Sequence, residues 1–191
     1  VKLLEMLRTG EIDCAILAEP FPDTGLAIAP LYDEPFLAAV PSTHPLAQQE
    51  SISTQQLKNE TMLLLGAGHC FRDHVLEVCP EFARYASNAE GIRRSFEGSS
   101  LETIKHMVAA GMGVTLVPRL SVANDALQSP RRRRSDEPYI RYLPIVEPDG
   151  SAPPKRRVSL VWRRSFTRYE AIAALRNAIH ACKLLGVERL N

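Results

Sequence analysis

The stretch "SSLETIKHMVAAGMGVTLVP", residues 99–118, decides the fold of this 191-residue chain. Ser99 and Glu102 have the spacing of a capping box, which predicts that a helix begins here. Gly111 or Gly113 ends that helix, and the apolar strand "VTLV" follows it. One face of the helix is apolar and consists of Leu101, Ile104, Met107 and Val108. A helix joined so closely to a short apolar strand is typical of an α/β protein, in which parallel sheets are covered on both faces.

The same alternation of helices and short apolar strands continues on both sides of this stretch. Further strands are predicted at "CAILA" (14–18), "FLAAV" (36–40), "MLLL" (62–65), 93–97, "YIRYLP" (139–144) and "RVSLVW" (157–162). Pro-rich crossings near residues 33 and 138 then divide the chain into two α/β lobes. Residues 1–33 and 139–191 are predicted to form lobe I, with its N-terminal part missing, and residues 34–138 to form lobe II.

Composition and charge narrow the class of protein. Hydrophobic residues make up 45% of the chain and charged residues 24%, as in ordinary soluble globular proteins. The net charge of +1 gives the chain as a whole no bias towards nucleic acid or membrane surfaces. No apolar run approaches the roughly 20 residues that cross a bilayer. The opening "VKLLEMLRTG" lacks an initiator Met and already has a helical pattern, so we expect the chain to belong to a longer protein.

Two cysteines in "GAGHCFRDHVLEVCP", residues 66–80, raise a question of geometry. The residues between Cys70 and Cys79 predict a helix, and nine helical steps place the two side chains about 180° and about 13 Å apart. A disulfide requires Cα atoms within about 7 Å, so an intact helix excludes the bond. The pair could therefore be two unrelated core thiols, part of a metal site, or partners that bond only when the segment unfolds.

The four cysteines do not predict a static disulfide framework. A chain of this size can build a core without covalent braces, and Cys14 lies inside an apolar strand pattern. A reducing, cytoplasmic setting is therefore expected. In that setting a cysteine pair usually serves catalysis, metal binding or redox sensing.

The order of the elements resembles the effector-binding half of LysR-type transcription regulators. The resemblance rests on "GEIDCAILAE" (10–19), "LYDEPFLAAVPSTHPLA" (31–47), residues 99–118 and "VSLVWRR" (158–164), and so spans nearly the whole chain. It implies a two-lobed fold like that of periplasmic binding proteins. The segment "GHCFRDHVLEVC" (68–79) is more specific, because it resembles the sensor segment of the peroxide-responsive members of the family.

The resemblance implies a role for each residue of that segment. Cys70 matches the cysteine that reacts with hydrogen peroxide, and Cys79 matches its disulfide partner. The neighbours that would shape the thiol site are His69, Arg72, Asp73 and the more distant basic residue Arg157, beside which Arg156 lies in the adjacent register. Cys14 matches a buried, non-essential thiol.

The resemblance also implies partners. Such a protein is a homo-oligomeric transcription activator, a dimer or tetramer, that responds to hydrogen peroxide and works with RNA polymerase. It binds DNA through an N-terminal winged helix-turn-helix that this chain lacks. It is cytoplasmic, is not an enzyme, needs no cofactor and has no membrane partner.

The chemistry expected at Cys70 follows from its position. Peroxide is attacked by the thiolate, and a helix start with basic neighbours stabilises that anion. The resulting sulfenic acid condenses with a nearby thiol. Disulfide formation would then require residues 71–78 to unwind partly, between the glycines that precede Cys70 and Pro80.

Alternative interpretations remain open for the sequence. A LysR-type domain could bind a small organic effector between its lobes, with incidental cysteines, and a thiol peroxidase would be an enzyme of a different class. Zinc could be shared by Cys70 and His74, although a four-ligand set is missing, and His74 is otherwise expected to be solvated. The run "RRRR" at 131–134 predicts a solvated loop rather than a phosphate-binding patch.

Overall fold

The computed structural model describes residues 2–82, 95–123 and 139–190. The chain divides into two compact units, of which the first comprises Val1–Glu34 with Lys155–Asn191 and the second comprises Pro35–Pro154. The run "RRRR" and the first part of the strand predicted at 93–97 lie outside the described residues. Within the described ranges, no helix is both long enough and apolar enough to cross a membrane.

Helices and strands alternate through much of the chain. The helices are α1 (Lys2–Thr9), α2 (Thr54–Leu57), α3 (Cys70–Val78), α4 (Leu101–Ala109) and α5 (Tyr169–Ala181), with short 3-10 turns at Pro45–Gln48 and Arg119–Ser121. The strands are β1 (Cys14–Ala18), β2 (Leu26–Pro41), β3 (Met62–Leu65), β4 (Ser95–Gly98), β5 (Thr115–Pro118), β6 (Ile140–Pro144), β7 (Lys155–Arg163) and β8 (Glu188–Arg189). The α/β character predicted from the sequence is confirmed.

The first unit is built on antiparallel pairs. β1 pairs with β7, from Cys14 opposite Trp162 to Ala18 opposite Val158. β8 pairs with the first half of β2. Two small apolar clusters fill this unit, one around Leu7, Leu26 and Val161 and the other around Leu31, Leu160 and Ile172.

The second unit holds the larger core. The second half of β2 pairs antiparallel with both β5 and β6, whereas β3 and β4 pair parallel. The expectation of generally parallel sheets is therefore wrong for most of the described pairs. The reason is that the 16-residue strand β2 serves both units and is met by chain segments that return in the opposite direction.

The boundary between the units differs from the crossing that the sequence places near residue 138. The contact boundary falls between Pro154 and Lys155, because β6 pairs with Leu37–Pro41 of β2 inside the second unit. The first boundary, between Glu34 and Pro35, lies one residue from the predicted one. The identification of these units with lobes I and II stays a prediction.

Helix α4 is positioned by its caps. Ser100, rather than Ser99, is the N-cap, and its side-chain oxygen accepts a hydrogen bond from the backbone N–H of Thr103 at 3.1 Å. Ile104 and Val108 of the predicted apolar face are buried, and Leu101 and Met107 pack against the same core. Gly111 has a φ of 78°, the left-handed conformation that ends a helix and that glycine adopts without strain. The helix–glycine–strand unit is thereby confirmed, with its start moved by one residue.

Candidate functional site

The predicted sensor segment begins at a tight junction between β3 and α3. Gly68 has a φ of 96°, a conformation that lets the chain turn from the strand into the helix. His69 is the N-cap residue, although its side chain makes no capping hydrogen bond. Cys70 is therefore the first helical residue, and it is exposed. The unpaired backbone N–H groups of a first helical turn and the helix dipole favour a negative charge at this position.

Arg72 fastens the first turn of α3 to the neighbouring strands. One guanidinium nitrogen, Nη1, donates to the backbone oxygen of Leu65 at 2.8 Å and to Oε1 of Glu97 at 2.6 Å. The Arg72 side chain is only 12% exposed, whereas Asp73 beside it is exposed. The four predicted residues His69, Cys70, Arg72 and Asp73 thus share one helical turn, in which Arg72 has a clear anchoring role.

The inner face of α3 packs into the core of the second unit. Phe71, His74 and Val75 are buried at positions i, i+3 and i+4. The rings of Phe71 and Phe36 meet edge to face with centroids 5.4 Å apart, and the His74 ring lies 6.3 Å from Phe36. The expectation that His74 is solvated is wrong, because its spacing from Phe71 turns it towards the core.

Cys79 closes the other end of α3 in a very different environment. It is the C-cap residue, its backbone N–H donates to the oxygen of Val75 at 2.9 Å, and its side chain is fully buried. Burial raises the pKa of its thiol from 9.0 to about 12, and the negative charge of Glu81 acts in the same direction. Cys79 is a neutral thiol in this conformation at physiological pH.

The structure confirms the geometry on which the disulfide argument rests. α3 spans Cys70–Val78 without interruption, and both cysteines are free. Nine helical steps separate their Cα atoms by about 13 Å, roughly twice the reach of a disulfide. In this conformation the two thiols cannot bond, so any disulfide between them requires α3 to unwind.

Arg157, the remaining predicted site residue, lies in the first unit and is held by a buried carboxylate. Its Nε donates to Oδ1 of Asp33 at 2.9 Å and its Nη2 donates to Oδ2 at 3.1 Å. Lys155 approaches Oδ2 at 2.7 Å. The hydrogen bond from Arg157, with help from Lys155, holds the pKa of Asp33 at about 2 despite its burial. The adjacent Arg156 contacts Oε2 of Glu34, at 2.8 Å from Nε and 2.7 Å from Nη2.

The two cysteines outside the sensor segment lie in different environments from each other, and a metal site would require a cluster of ligand side chains. Cys14 is partly buried on β1, where burial raises the pKa of its thiol, and Cys182 is exposed after α5. Of the pair, Cys79 has the burial of a core thiol and Cys70 does not. Among the residues that the structure describes, no group of three or more His, Cys, Asp or Glu side chains could hold a metal ion.

Sequence reasoning missed the acidic partners of the basic site residues. Asp33 and Glu34 are buried on β2, and Glu97 on β4 meets Arg72. A usable signal existed for the first two, because adjacent acidic residues in one strand and adjacent arginines in another can pair across a sheet. No local pattern marked Glu97, whose partner is 25 positions away.

Comparison with known proteins gives consistent results. The family described as the LysR substrate binding domain matches residues 1–182. The hydrogen peroxide-inducible genes activator of Pectobacterium carotovorum subsp. carotovorum is 38% identical over 175 residues, which cover 90% of this chain and 52% of that protein. This chain thus spans about half the length of that curated relative.

Solved structures give the same match. The reduced form of OxyR from N. meningitidis superposes with a TM-score of 0.84 at 35% identity, covering 100% of this chain and 81% of that one. A mutant of Corynebacterium glutamicum OxyR with H2O2 bound superposes with a TM-score of 0.72 at 30% identity, covering 94% of this chain and 51% of that one. The predicted two-lobed fold class and the resemblance to the peroxide-responsive branch are confirmed.

Proposed function

Because the chain belongs to the LysR substrate-binding domain family, we propose that it is the peroxide-sensing regulatory part of a transcription activator. The observation that carries the proposal is the contrast between the two cysteines of α3. Cys70 is exposed at the helix start, where an anion is favoured, and Cys79 is buried at the helix end, out of bonding reach. A pocket for an organic effector has no need of such a pair, and the comparisons do not favour that alternative.

In the first step, the Cys70 thiolate attacks one oxygen of hydrogen peroxide. An S–O bond forms and the O–O bond breaks, which gives Cys70 sulfenic acid and a hydroxide that is protonated to water. His69, Arg72 and Asp73 lie within one helical turn of the sulfur. In this proposal they shape the thiol site, Arg72 by holding the turn in place, and a role for Arg157 rests on the resemblance alone.

In the second step, the Cys79 sulfur attacks the Cys70 sulfur. The S–S bond forms, the S–O bond breaks, and the Cys79 proton leaves with the hydroxyl group as water. Because an intact α3 holds the thiols about 13 Å apart, the disulfide selects a second conformation of residues 66–80. That covalently selected conformation is the signal that the domain passes on.

The function of the whole protein extends the proposal beyond this chain. The DNA-binding activity would belong to an N-terminal winged helix-turn-helix in a longer protein, acting as a homodimer or tetramer with RNA polymerase. The chain itself would act as a cytoplasmic sensor and not as an enzyme. The support is that the matched curated relative is named an activator of hydrogen peroxide-inducible genes.

The test is peptide mass mapping after about one equivalent of hydrogen peroxide is added to the reduced chain. We expect a Cys70–Cys79 linkage in the parent chain. In the Cys79→Ser variant we expect a sulfenic acid on Cys70 that dimedone traps. The Cys182→Ser variant is the matched control, because Cys182 is also exposed and should leave both results unchanged.

Unmodified Cys70 in the parent chain, or modification of Cys182 in its place, would contradict the proposal. Repeating the measurement on the full-length protein shows whether Cys70 is unreactive in itself or needs residues outside this chain to react. If the disulfide forms while residues 66–80 keep the amide signals of an intact helix, only the unwinding step is contradicted.

A further inference from the structure

The residues that follow α3 are held in place at Cys79, Glu81 and Phe82. The Cys79 side chain is buried in the core, Phe82 is also fully buried, and the backbone N–H of Phe82 donates to the oxygen of Cys79 at 3.2 Å. Between them, Oε1 of Glu81 lies 2.5 Å from Nζ of Lys58. Pro80 is exposed and lies in the turn between Cys79 and Glu81.

Lys58 belongs to a well-anchored part of the second unit. It is the C-cap residue of α2, directly after Leu57, which is fully buried. The Lys58 and Glu81 side chains are 33% and 35% exposed, so the pair is neither fully solvated nor buried. The bond to Glu81 raises the pKa of Lys58, which keeps the lysine charged. The ion pair therefore ties the segment after α3 to a fixed point.

If Cys70 keeps its position, disulfide formation moves the chain that leads into this ion pair. With Cys70 in place, the Cα atom of Cys79 must approach it by roughly 6 Å, the difference between the helical separation and disulfide reach. Two residues span at most about 7 Å, so a displacement of that size is close to the full reach of the chain between Cys79 and Glu81. Breaking the Lys58–Glu81 contact is the less restrictive route.

We propose that the Lys58–Glu81 ion pair is a latch that sets how readily Cys79 leaves the core, and hence how fast sulfenic acid on Cys70 is converted to the disulfide. The inference rests on the proposed function and concerns its second step only. Lys58 and Glu81 are positioning residues in this scheme, because neither touches the reacting sulfur of Cys70. Peroxide is the oxidant, and the reaction balances as one peroxide and two thiols giving one disulfide and two waters.

The test measures the two steps separately in the full chain. Sulfenic acid formation is followed by dimedone trapping in a Cys79→Ser background. Disulfide formation is followed in the parent background at peroxide concentrations where its rate no longer rises. Lys58→Met and Glu81→Gln should each speed disulfide formation by about two- to fivefold, the range of a partly exposed ion pair, and leave dimedone trapping unchanged.

A charge-swapped variant separates a latch from simple loosening. Lys58→Glu combined with Glu81→Lys should return the rate of disulfide formation towards that of the parent, since the pair is restored with its signs reversed. Glu102→Gln is the control, because it removes another lysine–carboxylate pair of the second unit, with Lys105 at 3.3 Å, on α4. It should leave both steps unchanged. Circular dichroism checks each variant, and either single variant suffices if the other does not fold.

Each outcome bears on a specific claim. Parent-like rates of disulfide formation in the single variants would overturn the latch and leave the sensor proposal intact. Faster rates that the charge swap does not reverse would also overturn it, because loss of the pairing would not be the cause. Absence of any Cys70–Cys79 linkage in the parent chain would overturn the proposed function and the latch with it.

Discussion

The two ends of α3 carry the same side chain in opposite environments. At the start of the helix, Cys70 is exposed and follows a glycine turn, and the neighbouring Arg72 holds the backbone against β3 and β4. At the end, Cys79 is fully buried with its pKa raised to about 12. The first environment suits a thiol that reacts with a reagent from solution. The second suits a thiol that stays unreactive until α3 unwinds.

The difference teaches that, in the proposed scheme, the switch depends on how α3 packs and not on the thiols themselves. A free cysteine would react with oxidants in either place if it were exposed and ionised. Because Cys79 is buried, the second proposed step depends on the opening of the helix, and the fold would thereby set the order of the two reactions.

The largest effect is expected for alkylation of the reduced chain. N-ethylmaleimide should modify Cys79 at least about a thousandfold more slowly than Cys70, because Cys79 reacts only when the core around it opens. Mass spectrometry of samples quenched at successive times measures both rates. In denaturant the two rates should become similar. Comparable rates in the native chain would contradict the packing of the helix end.

The next effect tests the core at the C-terminal end. Phe82→Ala should lower the free energy of unfolding by about 3 kcal/mol, since it leaves a cavity in the core that also holds Cys79. Urea denaturation measures the change. Alkylation of Cys79 should speed up in this variant and alkylation of Cys70 should not. An equal change at both cysteines would show that α3 opens only as a whole.

A pH dependence should distinguish the two thiols. Burial raises the folded pKa of Cys79 above its ordinary value, so its contribution to stability is complete below pH 9 and is lost as the pH rises towards 12. We expect a loss of about 3 kcal/mol by pH 11, measured by denaturation as a function of pH. Cys79→Ala should remove this loss, whereas Cys70→Ser should retain it. A profile that Cys79→Ala leaves unchanged would argue against a buried neutral thiol.

The smallest effect is expected at the N-terminal end of the helix. Arg72→Met keeps the aliphatic part of the side chain but removes hydrogen bonds to Leu65 and Glu97, and should cost about 1 kcal/mol of stability. Glu97→Gln, which leaves the bond to Leu65, should cost less. Hydrogen exchange of the α3 amides locates the change. Faster exchange confined to the last turn would contradict the anchoring role of Arg72.

Helices could be predicted from the sequence where their position depends on neighbouring residues. The apolar spacing of Ile104 and Val108 predicted the buried face of α4, and the unbroken run after Cys70 predicted α3. The cap of α4 was wrong by one residue, since Ser99 and Ser100 are both able to cap and only the backbone geometry selects Ser100. The environment of His74 was also misjudged, because its side chain is polar although its position faces the core.

Long-range features were not predictable in the same way. β2 runs as one strand through Pro30 and Pro35, across the crossing predicted near residue 33, and the contact boundary before β7 lies well beyond residue 138. Proline can occupy strand positions whose N–H is not needed for pairing, and the identity of the pairing partner decides whether that condition is met. The partner is remote in the sequence, so the pattern around the proline does not reveal it.

By itself, the sequence determined that two cysteines nine positions apart lie at the two ends of one helix, too far apart to bond. Helical geometry and hydrogen bonding depend on neighbouring residues, which makes such a conclusion possible. Only the tertiary structure decided that one of the two is exposed and the other buried. It also decided that Arg157 is held by Asp33, 124 positions away, and that Glu81 meets Lys58. Burial and ion pairing depend on which segments the fold brings together, and that information is spread over the whole chain.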